Sequence, residues 1–267
     1  MSFSEYLTIG QYIPTHSFLH RLDPRSKLLF VFIYIIVVFF IRDYWGYLLL
    51  FLFILVGMII SKIPFSYYWK GLIPILGLIL FTIILHLTMT KGGAIYFQWK
   101  WFTIYENGVY QAGFVSIRLL LLVFVATMLT HTTSPIDLTM GLEKLMLPLK
   151  KFRVPVHELA LMMSISLRFI PTLLDETEKI IKAQKARGAN FETGPIHRRL
   201  LTMVSIVIPL LISAFKRADE LATAMEARGY RGEKGRTRLR TITFSWRDLL
   251  FFLVFGFVLI LLWFLRN

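Results

Sequence analysis

Leu28–Ile41 is the run LLFVFIYIIVVFFI, in which no residue is charged and nearly all are apolar. With the flanking residues between Lys27 and Trp45, this run reaches the roughly 20 residues that a membrane-spanning helix requires. A cleavable signal peptide would have a shorter apolar core and small residues at a cleavage site, whereas about 27 polar and mixed residues come first here. The run therefore predicts a permanent transmembrane helix.

Four later segments have the same apolar character and length. The five predicted spans are Lys27–Ile41, Gly46–Ile60, Gly71–Leu87, Gly108–His131 and Leu249–Leu265. Hydrophobic residues make up 56% of the 267 residues and charged residues only 17%, which is the composition of a membrane protein rather than of a soluble domain. We predict an all-α polytopic membrane protein with about five transmembrane helices and a cytosolic domain of long amphipathic helices.

The charged residues indicate how the chain is oriented. Ser134 to Arg247 holds twenty of the 30 Lys and Arg residues and eleven of the 16 Asp and Glu residues. Such a basic excess beside spans is typical of cytoplasmic segments, and nucleic-acid binding is the less favoured explanation of the net charge of +14. Basic residues flank the first three spans more densely on one side, with Arg21, Arg25, Lys27, Lys62 and Lys70 against Arg42, Lys91 and Lys100. We expect a cytoplasmic N-terminus and an external C-terminus.

These features divide the chain into three predicted parts. Residues 1–133 form a transmembrane region of four helices, residues 134–246 a cytosolic domain, and residues 247–267 a C-terminal transmembrane helix. Within the first part, residues 94–106 are too aromatic and too short to cross the bilayer, so we expect an external aromatic hairpin at headgroup level. Ser134 followed by Pro135 predicts the start of a helix, with Ser134 as the N-cap.

Two copies of Ala-x-x-Ala-Arg-Gly lie 41 residues apart, AQKARG at Ala183–Gly188 and AMEARG at Ala224–Gly229. Glycine just after the last helical turn adopts the left-handed conformation that ends a helix, and arginine in that turn interacts with the helix dipole. Capping alone would accept Lys, Asn or His there, so the duplication favours partner contacts through Arg187 and Arg228. Their guanidinium groups suit carboxylates or carbonyls on a partner surface.

The segments before both motifs carry apolar residues at helical spacing, which predicts two amphipathic helices. Aligning the motifs also superimposes Ser164-Ile165 on Ser205-Ile206 and Ile180 on Leu221, which indicates an internal repeat. About 18 residues of helix extend roughly 27 Å, so each helix could lie along the membrane surface. The apolar stripes consist of Leu173, Leu174, Ile180 and Ile181 in the first copy and of Leu211, Phe215, Leu221 and Met225 in the second. Core packing is the simplest role for them.

The sequence offers no catalytic, metal or cofactor site. It contains no Gly-x-x-x-x-Gly-Lys-Ser/Thr, no His-Glu-x-x-His, no Gly-x-Ser-x-Gly and no cysteine. His86 and His131 lie near span ends without clustered carboxylates, so they do not predict a metal site. Arg118 lies within the fourth span, where a cation is costly, so it either pairs inside the bundle or has a function of its own.

The segments LDPRSKL at Leu22–Leu28, TTSP at Thr132–Pro135 and RFIP at Arg168–Pro171 combine with the two Ala-Arg-Gly motifs over nearly the whole chain. This combination resembles the transmembrane T component of energy-coupling factor transporters, which are prokaryotic importers of vitamins and transition-metal ions. In that family the T component joins a small substrate-binding membrane protein, the S component, to two cytosolic ATPases of the ABC class.

The resemblance implies a non-enzymatic coupling subunit in the prokaryotic plasma membrane, without a cofactor and without nucleic acid. Its implied ATPase contacts are Ala186, Arg187, Gly188, Ala227, Arg228 and Gly229, with each arginine entering a groove on one ATPase. It also implies that the two apolar stripes form a cytosol-side platform for the S component. Two other functions stay open from the residues alone: a self-sufficient secondary transporter or channel lined by Arg118 and the histidines, and a membrane scaffold without a role in transport.

Overall fold

The computed structural model describes residues 12–15, 17–99, 102–189, 191, 195–232 and 243–266. Its elements are α1 (Pro24–Phe40), α2 (Tyr44–Ser61), α3 (Phe65–Met89), β1 (Ile95–Trp99), β2 (Phe102–Tyr105), α4 (Glu106–Thr132), α5 (Pro135–Met146), α6 (Val156–Ala186), α7 (Ile196–Ala227) and α8 (Trp246–Arg266). Among the described residues, six helices are long and apolar enough to cross a membrane: α2, α3, α4, α6, α7 and α8. The prediction of an all-α polytopic membrane protein is confirmed.

The chain divides into two compact units. The bundle unit comprises the described residues up to 145 and those from 243 onward, and the helix-pair unit comprises the described residues from 146 to 232. α1 to α4, α8 and α5 up to residue 145 belong to the bundle unit, whereas α6 and α7 belong to the helix-pair unit.

Aromatic side chains form the core of the bundle unit. The Phe30 ring of α1 packs edge-on against Phe251 and Phe255 of α8, with ring centroids 5.0 and 4.8 Å apart. The fully buried Tyr34 donates a hydrogen bond to the carbonyl oxygen of Leu50 in α2, 3.4 Å away. These contacts hold α8 against the first two helices, so the C-terminal helix is part of the same core.

Three helix ends meet at one end of the bundle unit, which we name the Asp248 end. The buried Asp248 carboxylate accepts hydrogen bonds from the backbone N–H groups of Asp23 and Ser245, each at 2.8 Å. Beside it, the Lys27 ammonium donates to the carbonyl oxygen of Thr132, 2.9 Å away. α1 and α8 therefore begin at this end and α4 finishes there, so α1 and α8 run in the same direction and α4 runs against them.

The turn between α2 and α3 lies at the same end. The hydroxyl groups of Ser61 and Tyr68 are 2.9 Å apart and share a hydrogen bond, and the Tyr67 ring contacts the ring of His131 near the end of α4. α2 therefore finishes, and α3 begins, at the Asp248 end. Along the chain, the directions of α1, α2, α3 and α4 alternate, as expected of successive membrane spans.

The aromatic segment between α3 and α4 folds as an antiparallel β-hairpin of β1 and β2. Ile95, Tyr96 and Phe97 in β1 are exposed. At its base, Gly108 lets α4 approach α3 closely, because a Cβ atom there would lie only 2.9 Å from the His86 carbonyl oxygen. The hairpin thus connects two helices that pack tightly against each other.

α5 begins as its sequence predicts. The Ser134 hydroxyl accepts a hydrogen bond from the backbone N–H of Asp137 at 3.1 Å and donates one to the Asp137 carboxylate at 2.7 Å. This arrangement satisfies a free N–H group of the first helical turn. A short 3-10 helix, Leu147–Phe152, then leads to Arg153 in the left-handed conformation, and α6 begins at Val156.

Candidate partner-binding site

α6 ends at the first Ala-Arg-Gly motif with a left-handed glycine cap. Gly188 has a φ of +86°, and its N–H donates to the Lys185 carbonyl oxygen at 3.0 Å. The N–H of Ala189 reaches back to the Gln184 carbonyl oxygen at 3.0 Å. Two carbonyl groups that the helix would leave free at its end are thereby satisfied. Arg187 occupies the last position before this glycine, and its side chain is exposed.

α7 ends at the second motif in the same way. Gly229 has a φ of +71°, its N–H donates to the Glu226 carbonyl oxygen at 2.9 Å, and the N–H of Tyr230 donates to Met225 at 3.0 Å. No atom lies within 4 Å of a Cβ built on either glycine, so backbone conformation and not crowding requires glycine. The two motifs therefore form the same kind of helix cap, and each cap is preceded by an exposed arginine.

The two exposed guanidinium groups have no partner in the described part of the chain. Neither Arg187 nor Arg228 makes a side-chain hydrogen bond or an ion pair with another described residue. Arginine in such a position keeps all five donors available in a planar fork. Both helix ends can therefore accept a carboxylate or carbonyl group from another protein.

α6 and α7 pack antiparallel. Near the end of α6, the Gln184 amide donates to the Ser205 carbonyl oxygen in the first half of α7, 3.3 Å away. Further back along α6, Glu176 meets a later part of α7: it accepts a hydrogen bond from Ser213 and pairs with Arg217 at 2.7 Å. Moving toward the start of α6 therefore means moving toward the end of α7.

This arrangement places the two motif arginines at opposite ends of the helix pair. Ser205 lies beside the last turns of α6, close to Arg187. The 23 residues from Ser205 to Arg228 rise by about 35 Å at the helical rise of 1.5 Å per residue. A partner that binds Arg187 and a partner that binds Arg228 would therefore occupy separate positions.

The predicted apolar stripes divide into two groups in the structure. Leu211 and Phe215 are 54% and 67% exposed, and they lie on an apolar face of α7 that the helix-pair unit leaves uncovered. This face also includes Val204, Val207, Ile208 and Ile212, which the sequence analysis did not assign although they continue the same helical spacing. The remaining stripe residues are half-buried: Leu173, Leu174, Ile180, Ile181, Leu221 and Met225.

Arg118 lies at the end of the bundle unit opposite Asp248. Its Nη2 and Nε atoms donate to the phenolic oxygen of Tyr47, 3.0 and 3.3 Å away, and its guanidinium group lies 5.2 Å from the centre of the Phe39 ring. Tyr47 in turn donates to the carbonyl oxygen of Ile41 at the end of α1. Arg118 thus links α4 to α2 and α1, which agrees with pairing inside the bundle.

The chain also matches a known protein family. The family model described as CbiQ, cobalt transport protein, matches residues 15–239, which is most of the chain. The chain belongs to the CbiQ family. The CbiQ match includes both Ala-Arg-Gly motifs and ends before α8 begins at Trp246.

The chain is also similar in sequence to proteins of several bacteria. The chain is 57% identical over 242 residues to a protein of Brevibacillus brevis and 50% identical over 242 residues to one of Bacillus subtilis, with 91% of each chain covered. A protein of Lactococcus lactis is 46% identical over 259 residues, or 96% of this chain and 97% of the relative. All three are named energy-coupling factor transporter transmembrane protein EcfT. The family inferred from the sequence motifs is therefore confirmed.

Proposed function

We propose that this CbiQ-family chain is the non-enzymatic coupling subunit of an energy-coupling factor importer in the bacterial plasma membrane. In this role it joins two cytosolic ABC ATPases to one S component and transmits their ATP-driven motion to it for vitamin or other micronutrient uptake. The observation that carries the proposal is the pair of identical glycine caps, which present Arg187 and Arg228 at opposite ends of one antiparallel helix pair.

The helix pair has the properties of a mechanical link between two moving partners. Helices are stiff, and about 35 Å separates its two arginine contacts. The ion pair between Glu176 and Arg217 and the hydrogen bond from Ser213 connect α6 to α7 midway between those contacts. Motion of either ATPase therefore acts on one end of the pair, and the contacts between α6 and α7 transmit it to the rest of the pair.

The uncovered apolar face of α7 is the surface on which such motion can act. Exposed apolar residues from Val204 to Phe215 cover about three helical turns. A contiguous apolar face of this kind in a partner-binding unit marks a protein or lipid contact. We assign it to the S component, which is itself a membrane protein and can present a matching apolar surface.

Charges at the ends of the bundle unit support a cytoplasmic N-terminus. Arg21, Arg25, Lys62 and Lys70 flank the helix ends that meet at the Asp248 end. We therefore assign that end to the cytoplasm by the positive-inside rule. Because α8 starts at this end, its last residues lie at the external side.

Charge reversal at both motif arginines tests the coupling role. The Arg187→Glu and Arg228→Glu variant, expressed with its partner ATPases and S component, should lose copurified ATPase and ATP-dependent uptake, because each carboxylate would repel the acidic or carbonyl acceptor. A matched control is Lys179→Glu with Lys216→Glu, which reverses one exposed charge on each helix away from the motifs. If uptake and assembly survive in the arginine variant, the assignment is wrong.

A further inference from the structure

A groove lies between the first half of α6 and the end of α7. It has a volume of about 310 Å³ and is open to solvent. Its apolar lining consists of Leu161, Ile165, Leu221 and Met225. Three further lining residues carry polar side chains: Arg168, Arg228 and Tyr230. The second Ala-Arg-Gly motif therefore lies at the edge of a mainly apolar groove that is also lined by two arginines and a tyrosine.

The two cations in this groove have no negative partner within the described chain. Arg168 and Arg228 form no side-chain hydrogen bond or ion pair with another described residue, and no Asp or Glu lines the groove. An anion bound in the groove would be attracted by both arginines. Charge and lining together suit a carboxylate next to an aliphatic or aromatic side chain.

The first motif differs from the second in the residues that form this groove. Applying the 41-residue repeat places Pro209 at the position that corresponds to Arg168, Gln184 at that of Met225 and Ala189 at that of Tyr230. The Gln184 amide is engaged with the Ser205 carbonyl oxygen. The Arg187 end therefore has one motif arginine, without a second guanidinium group or a phenol at the equivalent positions.

We propose that Arg168 is a second partner-binding arginine, and that the groove at the Arg228 end takes an acidic side chain with an adjoining apolar residue from one ATPase. The Arg187 end lacks these features and makes a simpler contact, so the difference between the two ends selects which ATPase binds at each. This inference rests on the proposed coupling function, and it assigns to Arg168 a role in choosing the partner.

A double-mutant cycle tests the inference. The detergent-solubilised full-length chain carries Arg168→Ala alone, with Arg187→Ala, or with Arg228→Ala, and binding of the purified partner ATPases is titrated. In the Arg187→Ala background, where the Arg228 end carries the binding, Arg168→Ala should weaken ATPase binding by at least about tenfold, the effect of one lost hydrogen bond to a charged group. In the Arg228→Ala background it should cause little further loss. An equal loss in both backgrounds, or no loss in either, would overturn the inference.

Chemical rescue distinguishes the loss of the positive charge at position 168 from a disturbance of the fold by the substitution. Because the chain has no cysteine, Arg168→Cys introduces a single thiol that can be modified before the ATPases are added. An aminoethyl thiosulfonate reagent, which restores a positive charge, should recover binding, and so should Arg168→Lys. A sulfonatoethyl reagent should not. If both reagents give the same binding, the side chain acts through shape and the proposed carboxylate contact is wrong.

Two controls distinguish the possible failures. Lys179→Ala removes an exposed positive charge from the same helix outside the groove and should leave binding unchanged. If Arg168→Ala alters binding to vesicles that contain phosphatidylglycerol and not binding to the ATPases, the groove holds lipid and the inference fails. If Arg187→Ala and Arg228→Ala are both without effect on ATPase binding, it is the coupling function that fails.

Discussion

Replacement of Asp248 should destabilise the bundle unit, because this one carboxylate fixes the start of α8 to the start of α1. Its two oxygens accept separate hydrogen bonds, from the N–H of Asp23 and from the N–H of Ser245, each at 2.8 Å. The side chain of Asp248 is fully buried, and Asp23 is 4% exposed. Asp248→Ala removes both acceptors and leaves the N–H of Asp23 without a partner away from water.

The size of the effect follows from the burial of the two donors. A buried donor that loses its acceptor costs about 1–3 kcal/mol, and the Ser245 donor, which lies in an exposed residue, costs less because water can replace the carboxylate. We expect a total of about 2–4 kcal/mol, and at about 2–4 °C per kcal/mol for a chain of this size the unfolding midpoint falls by about 4–16 °C. Asp248→Asn keeps one acceptor oxygen and should lose roughly half as much.

The assay is thermal unfolding of the detergent-solubilised chain, followed by the loss of the monomer peak in size-exclusion chromatography. Asp43→Ala is the matched control, because Asp43 is likewise an aspartate at the start of a membrane-spanning helix, but it is exposed and its side chain makes no capping hydrogen bond. Equal midpoints for Asp248→Ala, Asp43→Ala and the unmodified chain would refute the reasoning, and with it the placement of α8 beside α1.

Two further predictions concern a helix end and the interior of the bundle. Gly229→Val should weaken ATPase binding more than Gly229→Asn. The position has a φ of +71° and open space around it, and asparagine tolerates this left-handed conformation whereas valine does not. Equal ATPase binding by both variants would contradict this prediction. Tyr47→Phe should lower the unfolding midpoint because Arg118 loses its acceptor, and adding Arg118→Met should recover part of it. If the double variant is stable but uptake is lost, Arg118 serves transport and not only packing.

The sequence predicted those parts of the fold that depend on local patterns. Apolar length located α1, α2, α3, α4 and α8, Ser134 marked the start of α5, and Gly188 and Gly229 marked the ends of α6 and α7. α6 and α7, predicted as amphipathic cytosolic helices, are also long and apolar enough to span a membrane. Each of these signals acts within a few residues, so it can be recognised without knowledge of the tertiary structure. α3 begins earlier than its predicted span, at Phe65, because its first turns bury Tyr68 through a hydrogen bond to Ser61.

Contacts between distant segments could not be predicted in this way. In the sequence, Asp248 is an unremarkable aspartate at the edge of a span. Its structural role depends on the hydrogen bond from the N–H of Asp23, which lies 225 residues earlier. Arg168 lines the same groove as Arg228 because α6 and α7 pack antiparallel. The sequence shows these residues, but it does not show which residues lie beside them in the folded chain.

The packing of α6 against α7 also explains why the repeat is not exact. In an antiparallel pair of related helices, equivalent positions lie far apart at the ends and meet in the middle. Glu176 and Arg217 are equivalent positions of the 41-residue repeat, and they are the two residues that form the ion pair at 2.7 Å. Identical residues there would bring two like charges into contact, so the middle of the pair requires complementary residues even if the ends are matched. Under the proposed function each helix cap contacts a separate partner, so the caps can keep the same residues. Arg168 and its repeat equivalent Pro209 show where the two ends differ. If the proposed function holds, the chain binds two ATPases with the same helix cap at both ends, while complementary residues in the middle hold the pair together.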